Sequence, residues 1–296
     1  MGSRATNYNW LSRSPSISWD WVCKSKEVGG LSIRNCSLWN KAALGKYVWK
    51  IAKKEDSLWV RWVHSVYLKD QNWWTYKPKA TAGWAWKKLC KIKDEMHSGF
   101  VEKDWLQNPY SISEVYDWLQ GSSPRVDWNT WIWNKFNSPM HAFISWLAVH
   151  NRLKTRDKLE RFGICVDNRC LLCGSATENR SCLFFDCPYS RRCIDKIADW
   201  LGIRNTYYSI DEVWKQWSRQ LKDPICRKVG LAALTSVVYH LWFSRNHTFW
   251  QKAVFHPRIL CKGICIETVD RCRQLITCKW TRKHCKWFFS LSALIH

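Results

Sequence analysis

The chain has 296 residues, of which 46% are hydrophobic, so it can bury the core of one large or two ordinary domains and is too apolar to be disordered. It carries 47 Lys and Arg against 24 Asp and Glu, a net charge of +23. This charge predicts a polyanionic partner, with nucleic acid first, an anionic membrane face second, and a merely soluble basic protein as the alternative.

Cysteine and tryptophan are the compositional extremes, with 15 and 24 copies. A secreted disulfide scaffold is disfavoured because the chain is long, the cysteine count is odd and no apolar signal segment opens the sequence. We therefore expect an intracellular protein, nuclear or cytoplasmic, whose thiols are free or bound to metal. We also expect no transmembrane segment, since no apolar run is long enough to span a bilayer. The start Met1–Thr6 fits the myristoylation pattern, which is short enough to arise by chance.

The first half of the chain predicts an arm followed by helices. Residues 1–18 are polar and predict a flexible N-terminal arm, and Gly29-Gly30 predicts a turn. Apolar residues at helical spacing then predict helices over 37–54, 57–68, 84–92 and 114–119. The polar stretch at 69–81 is typical of a loop.

The second half predicts further helices around a cysteine-rich segment. The stretch GSSPRVDW predicts a linker, so we place a boundary near residue 122. Apolar periodicity beyond it predicts helices over 140–153, 154–162, 193–201, 210–221 and 225–250. The expected fold class is mainly α, with a small cysteine-rich loop. The expected division is an arm at 1–18, a helical region at 19–122, a cysteine-rich domain at 123–202 and a basic helical region at 203–296.

The segment CLLCGSATENRSCLFFDC sets four thiols within one short stretch, at Cys170, Cys173, Cys182 and Cys187. A CxxC turn can direct two thiolates at one ion, and a second pair can complete the tetrahedral shell that Zn²⁺ prefers. Four ordinary thiols or a redox CxxC pair are the alternatives. If all four thiols bind, no position stays open for water, so the metal would be structural and not catalytic.

Several segments in order along the chain resemble one known family. They are the stretch that begins at Trp19, SISEVYDWLQ at 111–120, the stretch at 126–164, CLLC, Glu178, LFFDC at 183–187 and YHLWFSRN at 239–246. Together they resemble the C-terminal region of plant non-LTR, LINE-type retrotransposon reverse transcriptases, which includes a reverse-transcriptase zinc-binding domain. The resemblance implies that residues 123–202 form that domain and bind Zn²⁺.

The resemblance also shows where this chain departs from the family. The family segment runs C-x-x-C, an acidic residue, then H-L-F-F-x-C, so Cys182 stands where the family has histidine. A thiolate can replace an imidazole as a zinc ligand. The paired aspartates of the family's polymerase are missing, because the sequence has no Asp-Asp pair. We therefore expect no polymerase and no endonuclease activity, and an enzyme of another type is a distant option.

Two basic runs are candidates for contacts to nucleic acid. The candidate side chains are Arg152, Lys154, Arg156, Lys158 and Arg161 before the cysteine segment, and Lys279, Arg282, Lys283 and Lys286 in the tail. Lysines and arginines would meet phosphates, while neighbouring rings such as Trp280 could stack on bases. Solvated helix faces with their rings in the core are the equal alternative.

The remaining clusters favour packing roles. Trp59 with Trp62 and Trp131 with Trp133 have spacings that favour burial over stacking. Buried core thiols are a simpler interpretation of Cys261, Cys265 and Cys272 than a second metal site. No acid or nucleophile at catalytic spacing accompanies His141, His150 or His240, so packing or surface roles are expected.

The expected function is that of a zinc-stabilised accessory region of a retrotransposon reverse transcriptase that binds nucleic acid, RNA in particular. A scaffold that binds protein through its aromatic surface is one alternative. A non-functional retroelement remnant is the other.

Overall fold

The computed structural model describes residues 17–206, 208–277 and 280–294, which are mostly helical. Within those residues there is no β-strand beyond one isolated bridge, so the predicted mainly α fold is confirmed. The chain divides into two compact units, one at 17–125 and the other containing 126–294. No helix in the described part is long and apolar enough to cross a membrane. Of the predicted arm at 1–18, residues 1–16 lie outside the described residues.

The unit at 17–125 is built from five helices. They are α1 (Trp19–Cys23), α2 (Cys36–Ala52), α3 (Leu58–Val63), α4 (Trp84–Glu102) and α5 (Ile112–Gln120). After α3 the chain continues as a π turn over His64–Leu68. The predicted turn at Gly29 is present, with a φ of 96°. α4 runs ten residues beyond its predicted end because Met96, Gly99 and Phe100 continue its buried face.

The core of this unit lies where α2 packs against α4 and α5. The approach is close at Gly45, where a Cβ would lie 2.3 Å from the Tyr110 hydroxyl and 2.6 Å from the Met96 methyl group. Tyr110 donates a hydrogen bond of 2.6 Å to the carbonyl of Ala42. A glycine is therefore needed on α2 for the three helices to meet.

The unit that contains 126–294 is organised around one long helix. Its helices are α6 (Asn129–Ile132), α7 (Pro139–Val149), α8 (Arg156–Arg161), α9 (Pro188–Trp200), α10 (Val213–Gln220), α11 (Pro224–Gln251), α12 (Pro257–Arg273) and α13 (Arg282–Ala293). α11 packs against α6, α7, α9, α10, α12 and α13. Its buried face includes Val229, Ala233, Val237 and Leu241, so the predicted apolar stripe of this helix faces the core.

Local sequence signals set the start of α11. The Asp223 side chain caps the helix by accepting hydrogen bonds from the backbone N–H groups of Ile225 (2.8 Å) and Cys226 (3.0 Å). Pro224 occupies the first helical turn, where its missing N–H leaves no hydrogen bond unmade. The carboxylate of Asp223 also pairs with His284 of α13 at 2.8 Å, which ties the tail to the start of the long helix.

Candidate metal centre and basic surface

The first two cysteines lie on a tight hairpin that precedes α9. The backbone N–H of Cys170 donates to the carbonyl of Ala176 at 2.7 Å, and Arg169 and Thr177 form an antiparallel bridge. The carbonyl of Cys170 accepts from the N–H of Gly174 at 2.7 Å. Gly174 has a φ of 73°, in the left-handed region that glycine reaches without strain. We call the segment 168–187, which contains this hairpin, the knuckle.

The second two cysteines bracket the π turn Cys182–Asp186. The N–H of Cys187 donates to the carbonyl of Cys182 at 3.0 Å, and Cys187 is also the N-cap residue of α9. Leu183, Phe184 and Phe185 within the turn are buried, so this apolar run packs the knuckle against the core.

The knuckle brings the four thiols together. The Sγ atoms of Cys170, Cys173 and Cys182 all lie within 4.8 Å of one another. The thiol of Cys187 interacts with that of Cys170, so the fourth cysteine belongs to the same cluster. Four sulfurs bound to zinc at ~2.3 Å are about 3.8 Å apart, so the cluster fits a tetrahedral thiolate site. The cluster could therefore bind a metal ion.

The cluster's electrostatics differ from one thiol to the next. Hydrogen bonding with Cys182 and burial raise the pKa of the Cys170 thiol to about 12, although hydrogen bonding with Cys187 opposes them. Hydrogen bonding with Cys170 and burial raise the pKa of Cys187 as well. Burial acts to raise the pKa of Cys173, but hydrogen bonds from the Ala176 backbone and the Ser175 hydroxyl outweigh it and lower that pKa. Without an ion the cluster therefore favours protonated Cys170 and Cys187.

Glu178, the acidic residue of the motif, is completely buried in the knuckle. Its Oε1 accepts hydrogen bonds from the Arg156 backbone N–H (3.0 Å) and from Nε of Arg245 (2.8 Å). Nη2 of Arg245 lies 2.7 Å from the same oxygen, and the N–H of Leu171 donates to Oε2 at 3.4 Å. One carboxylate thus joins α8, the knuckle and α11. The role of Arg245 was not predicted, although it lies within YHLWFSRN, one of the segments that carry the family resemblance.

The basic run before the knuckle divides into two groups. Arg156 donates to the carbonyl of Arg169 at 3.0 Å, and Lys158 donates to carbonyls of the loop after α7, including that of Leu153 at 3.1 Å. Lys158 is half-buried, and this burial lowers its pKa to about 8. Arg152, Lys154 and Arg161 are exposed to solvent.

One of the three exposed cations lies over an exposed ring. The ammonium of Lys154 lies 5.1 Å from the centre of the Phe162 ring, and Phe162 is 44% exposed. Arg161 lies 3.8 Å from Asp157, whereas no ion pair to Arg152 or Lys154 is found among the described residues. We call Arg152, Lys154, Arg161 and Phe162 the basic patch.

The second basic run lies on and before α13. Arg282, Lys283 and Lys286 are exposed on this helix, and Lys279 lies outside the described residues. Trp280 and Phe288 are buried, whereas Phe289 is 54% exposed. The rings of the tail therefore divide between the core and the surface, and each of the two interpretations holds for part of the tail.

The other predicted clusters have mixed outcomes. Trp131 is completely buried as predicted, whereas Trp59 and Trp62 are 37% and 49% exposed, so core burial was the wrong expectation for that pair. Each of the two packs edge-on against a tyrosine, at 5.4 and 5.3 Å between ring centres. The predicted core thiols of α12, at Cys261, Cys265 and Cys272, are buried, and within the described residues they form no cluster with metal-binding geometry.

Sequence comparison identifies the class of the region around the knuckle. The family described as zinc-binding in reverse transcriptase matches residues 110–193, which include all four clustered cysteines. The matched segment together with the cysteine cluster supports a retrotransposon-related zinc-binding region of the reverse-transcriptase type.

One curated relative supports the same class. A protein from Arabidopsis thaliana, provisionally named a ribonuclease H protein, is 28% identical over 72 residues. That match covers 23% of this chain and 12% of the relative, so the chain corresponds to a small part of that protein. No solved structure matches the chain.

Proposed function

We propose that the knuckle binds Zn²⁺ through Cys170, Cys173, Cys182 and Cys187. The donor set supports zinc, because four soft thiolates in a compact group suit a closed tetrahedral shell. The thiols would lose their protons to solvent as the thiolates bind the ion, and the free energy of binding would offset the raised pKa values of Cys170 and Cys187. A closed shell leaves no position for a reacting water, so the ion would fix the knuckle and Glu178 in place.

We propose further that the chain binds nucleic acid, RNA in particular, as an accessory region of a retrotransposon-type reverse transcriptase. The observation that carries this proposal is the basic patch beside a zinc-binding type of knuckle. Cations there would contact phosphates while the Phe162 ring stacks on an unpaired base. Because Glu178 fastens α8 to the knuckle, the ion would set the position of Arg161 and of the ring.

The test is binding of single-stranded RNA to the full chain over a salt series. The variant carries Arg152→Ala, Lys154→Ala and Arg161→Ala together. If each cation contacts one phosphate, the slope of log affinity against log salt should become shallower by about 2, since each contact contributes ~0.7 for a single strand. Phe162→Ala should weaken binding with the salt slope unchanged.

A matched control loses the same charge elsewhere. Lys46, Lys79 and Lys88 are exposed and lie in the unit at 17–125, outside the basic patch. The triple variant Lys46→Ala, Lys79→Ala and Lys88→Ala should keep most of the affinity and the slope. Equal losses in the two triple variants would show that binding follows total charge and would overturn the assignment to the patch.

We also propose that the chain itself catalyses neither polymerisation nor strand cleavage and that it acts inside the cell. The absence of an Asp-Asp pair supports the first statement. Turnover of a primer–template or of a duplex substrate by the purified chain would contradict it. The activity would have to disappear when the chain is removed and persist when a contaminant is removed.

A protein-docking role is the second candidate, and the surface of α3 favours it. Leu58 is 81% exposed, and Trp62 and Val66 beside it are 49% and 48% exposed. Apolar side chains grouped in this way are typical of interaction sites. Nucleic-acid binding that is weak and insensitive to salt would favour this second function over the first.

A further inference from the structure

Three ligand-type side chains meet far from the knuckle in sequence, on three different helices. His141 lies on α7, His240 on α11 and Glu267 on α12. Nε2 of His141 lies 3.0 Å from Oε1 of Glu267, and Nε2 of His240 lies 2.8 Å from Oε2. The three donor atoms are all within 4.8 Å of one another. We call these residues the His–Glu triad.

The donor types and their spacing suit a transition-metal ion. Two imidazole nitrogens and one carboxylate are a ligand set that zinc uses when it keeps an open coordination position. Ligand atoms at 2.0–2.1 Å from a tetrahedral ion are about 3.3 Å apart, close to the separations in the triad. With neutral imidazoles the triad carries one negative charge, which favours a divalent cation.

The surroundings hold the ligands rigidly and leave one side open. The His141 side chain is 6% exposed, and its ring packs on that of Tyr239 with 4.4 Å between centres. Glu267 is 44% exposed and faces a cleft of about 350 Å³ that Met140, Tyr239 and Phe243 also line. An ion could therefore reach the triad from solvent.

Other charged groups near the triad are few. A second cleft, at Ser138, is lined by Glu267 together with Asp270 and Arg271 of the same helix. Asp270 pairs with Arg273 at 3.3 Å, and no contact of Asp270 with either imidazole is found among the described residues. Among the described residues, Glu267 is thus the carboxylate that the two imidazoles share.

We propose that His141, His240 and Glu267 form a second metal site, suited to Zn²⁺ and separate from the cysteine cluster, with an open position that faces the cleft. A purely hydrogen-bonded triad is the competing interpretation, in which each Nε2–H donates to one carboxylate oxygen. The two interpretations differ in one measurable property, because only the first predicts an ion retained by nitrogen and oxygen donors.

The test uses metal content and Co²⁺ spectra of the purified full chain. Wild-type protein should retain about two zinc ions per chain after dialysis, one at each site. The variant Glu267→Gln keeps the size of the side chain but loses the anionic ligand, and it should retain one ion fewer. Its loss of affinity should exceed the ~10–100-fold that follows loss of an outer-shell partner.

The absorption bands of bound Co²⁺ distinguish the two sites without an activity measurement. Thiolate ligands give intense charge-transfer absorption, so the variant Cys170→Ser with Cys173→Ser should lose those bands and keep weak visible bands from the triad. Adding Glu267→Gln should remove the weak bands as well. Absence of the intense bands from the wild-type spectrum would count against the cysteine cluster, and absence of the weak bands from the cysteine double variant would count against the triad.

Asp270→Asn is the matched control, because it removes a neighbouring exposed carboxylate of α12 and should leave both ions bound. The helical circular dichroism of Glu267→Gln and Asp270→Asn should match the wild type, which separates ligand loss from unfolding. The proposal is overturned if Glu267→Gln retains as much zinc and cobalt as the wild type.

Discussion

The unit at 17–125 and the knuckle each hold an irregular segment in place, but they use different means. In the first, the loop that follows the π turn packs on an aromatic core that includes Trp73 and Tyr76. Lys93 of α4 is 1% exposed, and its ammonium donates to the carbonyls of Trp73 (3.2 Å), Trp74 (3.3 Å) and Tyr76 (2.7 Å). Apolar burial and one buried cation therefore fix this loop.

Before its buried run Leu183–Phe185, the knuckle has little apolar material of its own. Between residues 162 and 181, all of which the structure describes, the buried side chains are Cys170, Leu172 and Glu178. Cohesion in that part would come from the thiol cluster and from the contacts of Glu178 with Arg156 and Arg245. The difference teaches that one loop is an extension of a core, whereas the other would depend on the proposed ion and on one carboxylate.

Metal removal should give the largest loss of stability, and this loss should be confined to one region. Cys170→Ser, or a chelator added to the wild type, should unfold the knuckle, because structural zinc contributes on the order of 10 kcal/mol to the folding of small zinc domains. Amide hydrogen exchange should rise across 168–187 while α2 and α4 keep their protection.

Cys165→Ser is the control for that experiment. Cys165 lies beside the knuckle, where its thiol donates to the carbonyl of Arg156 at 3.5 Å, and it takes no part in the cluster. This variant should keep its metal and its exchange pattern. Equal loss of protection in both units after chelation would break the contrast between them.

Truncating Arg245 should give the next largest effect. Arg245→Ala leaves the Glu178 carboxylate buried without its cation, which costs about 3–5 kcal/mol in comparable buried pairs. Thermal melts with zinc in excess should show the loss. Replacing both partners with Met should recover part of it, because no buried charge then remains; failure to recover would assign the loss to packing alone.

Substituting Lys93 should give the smallest effect of the three. Lys93→Met removes the donor that three buried carbonyls share, at a cost of about 1–3 kcal/mol. The loss should appear as faster exchange in the unit at 17–125, and it should be the same with and without chelator. A loss of exchange protection that depends on the chelator would contradict the interpretation that this loop needs no metal ion.

Much of the fold could be predicted because its signals are local. Apolar spacing predicts α2, α7 and α11, whose observed bounds differ by a few residues from the predicted ones. The spacing of the cysteines likewise predicts their convergence, since all four lie within one short segment. Boundaries were less accurate where the signal is tertiary, as at the end of α4.

The rest depends on contacts between distant parts of the chain. Glu178 and Arg245 are 67 residues apart in sequence, and no local pattern pairs them. Glu267 stands on a helix of mixed polarity, so nothing nearby marks it as the partner of His240, 27 residues away. In the sequence, Arg156 and Lys158 look like solvated cations. In the fold, both side chains donate hydrogen bonds to backbone carbonyl groups that the fold brings near.

The thiol of Cys182 also decides which conditions in a cell could open the knuckle. A cluster that contains an imidazole loosens in mild acid, because histidine takes up a proton near pH 6. Four sulfurs respond instead to oxidants, which convert thiolates to disulfides or sulfenic acids. If the knuckle holds the proposed ion, Cys182 would add a fourth oxidisable ligand in place of one that mild acid protonates, and Cys187, the N-cap residue of α9, would link any such change to that helix.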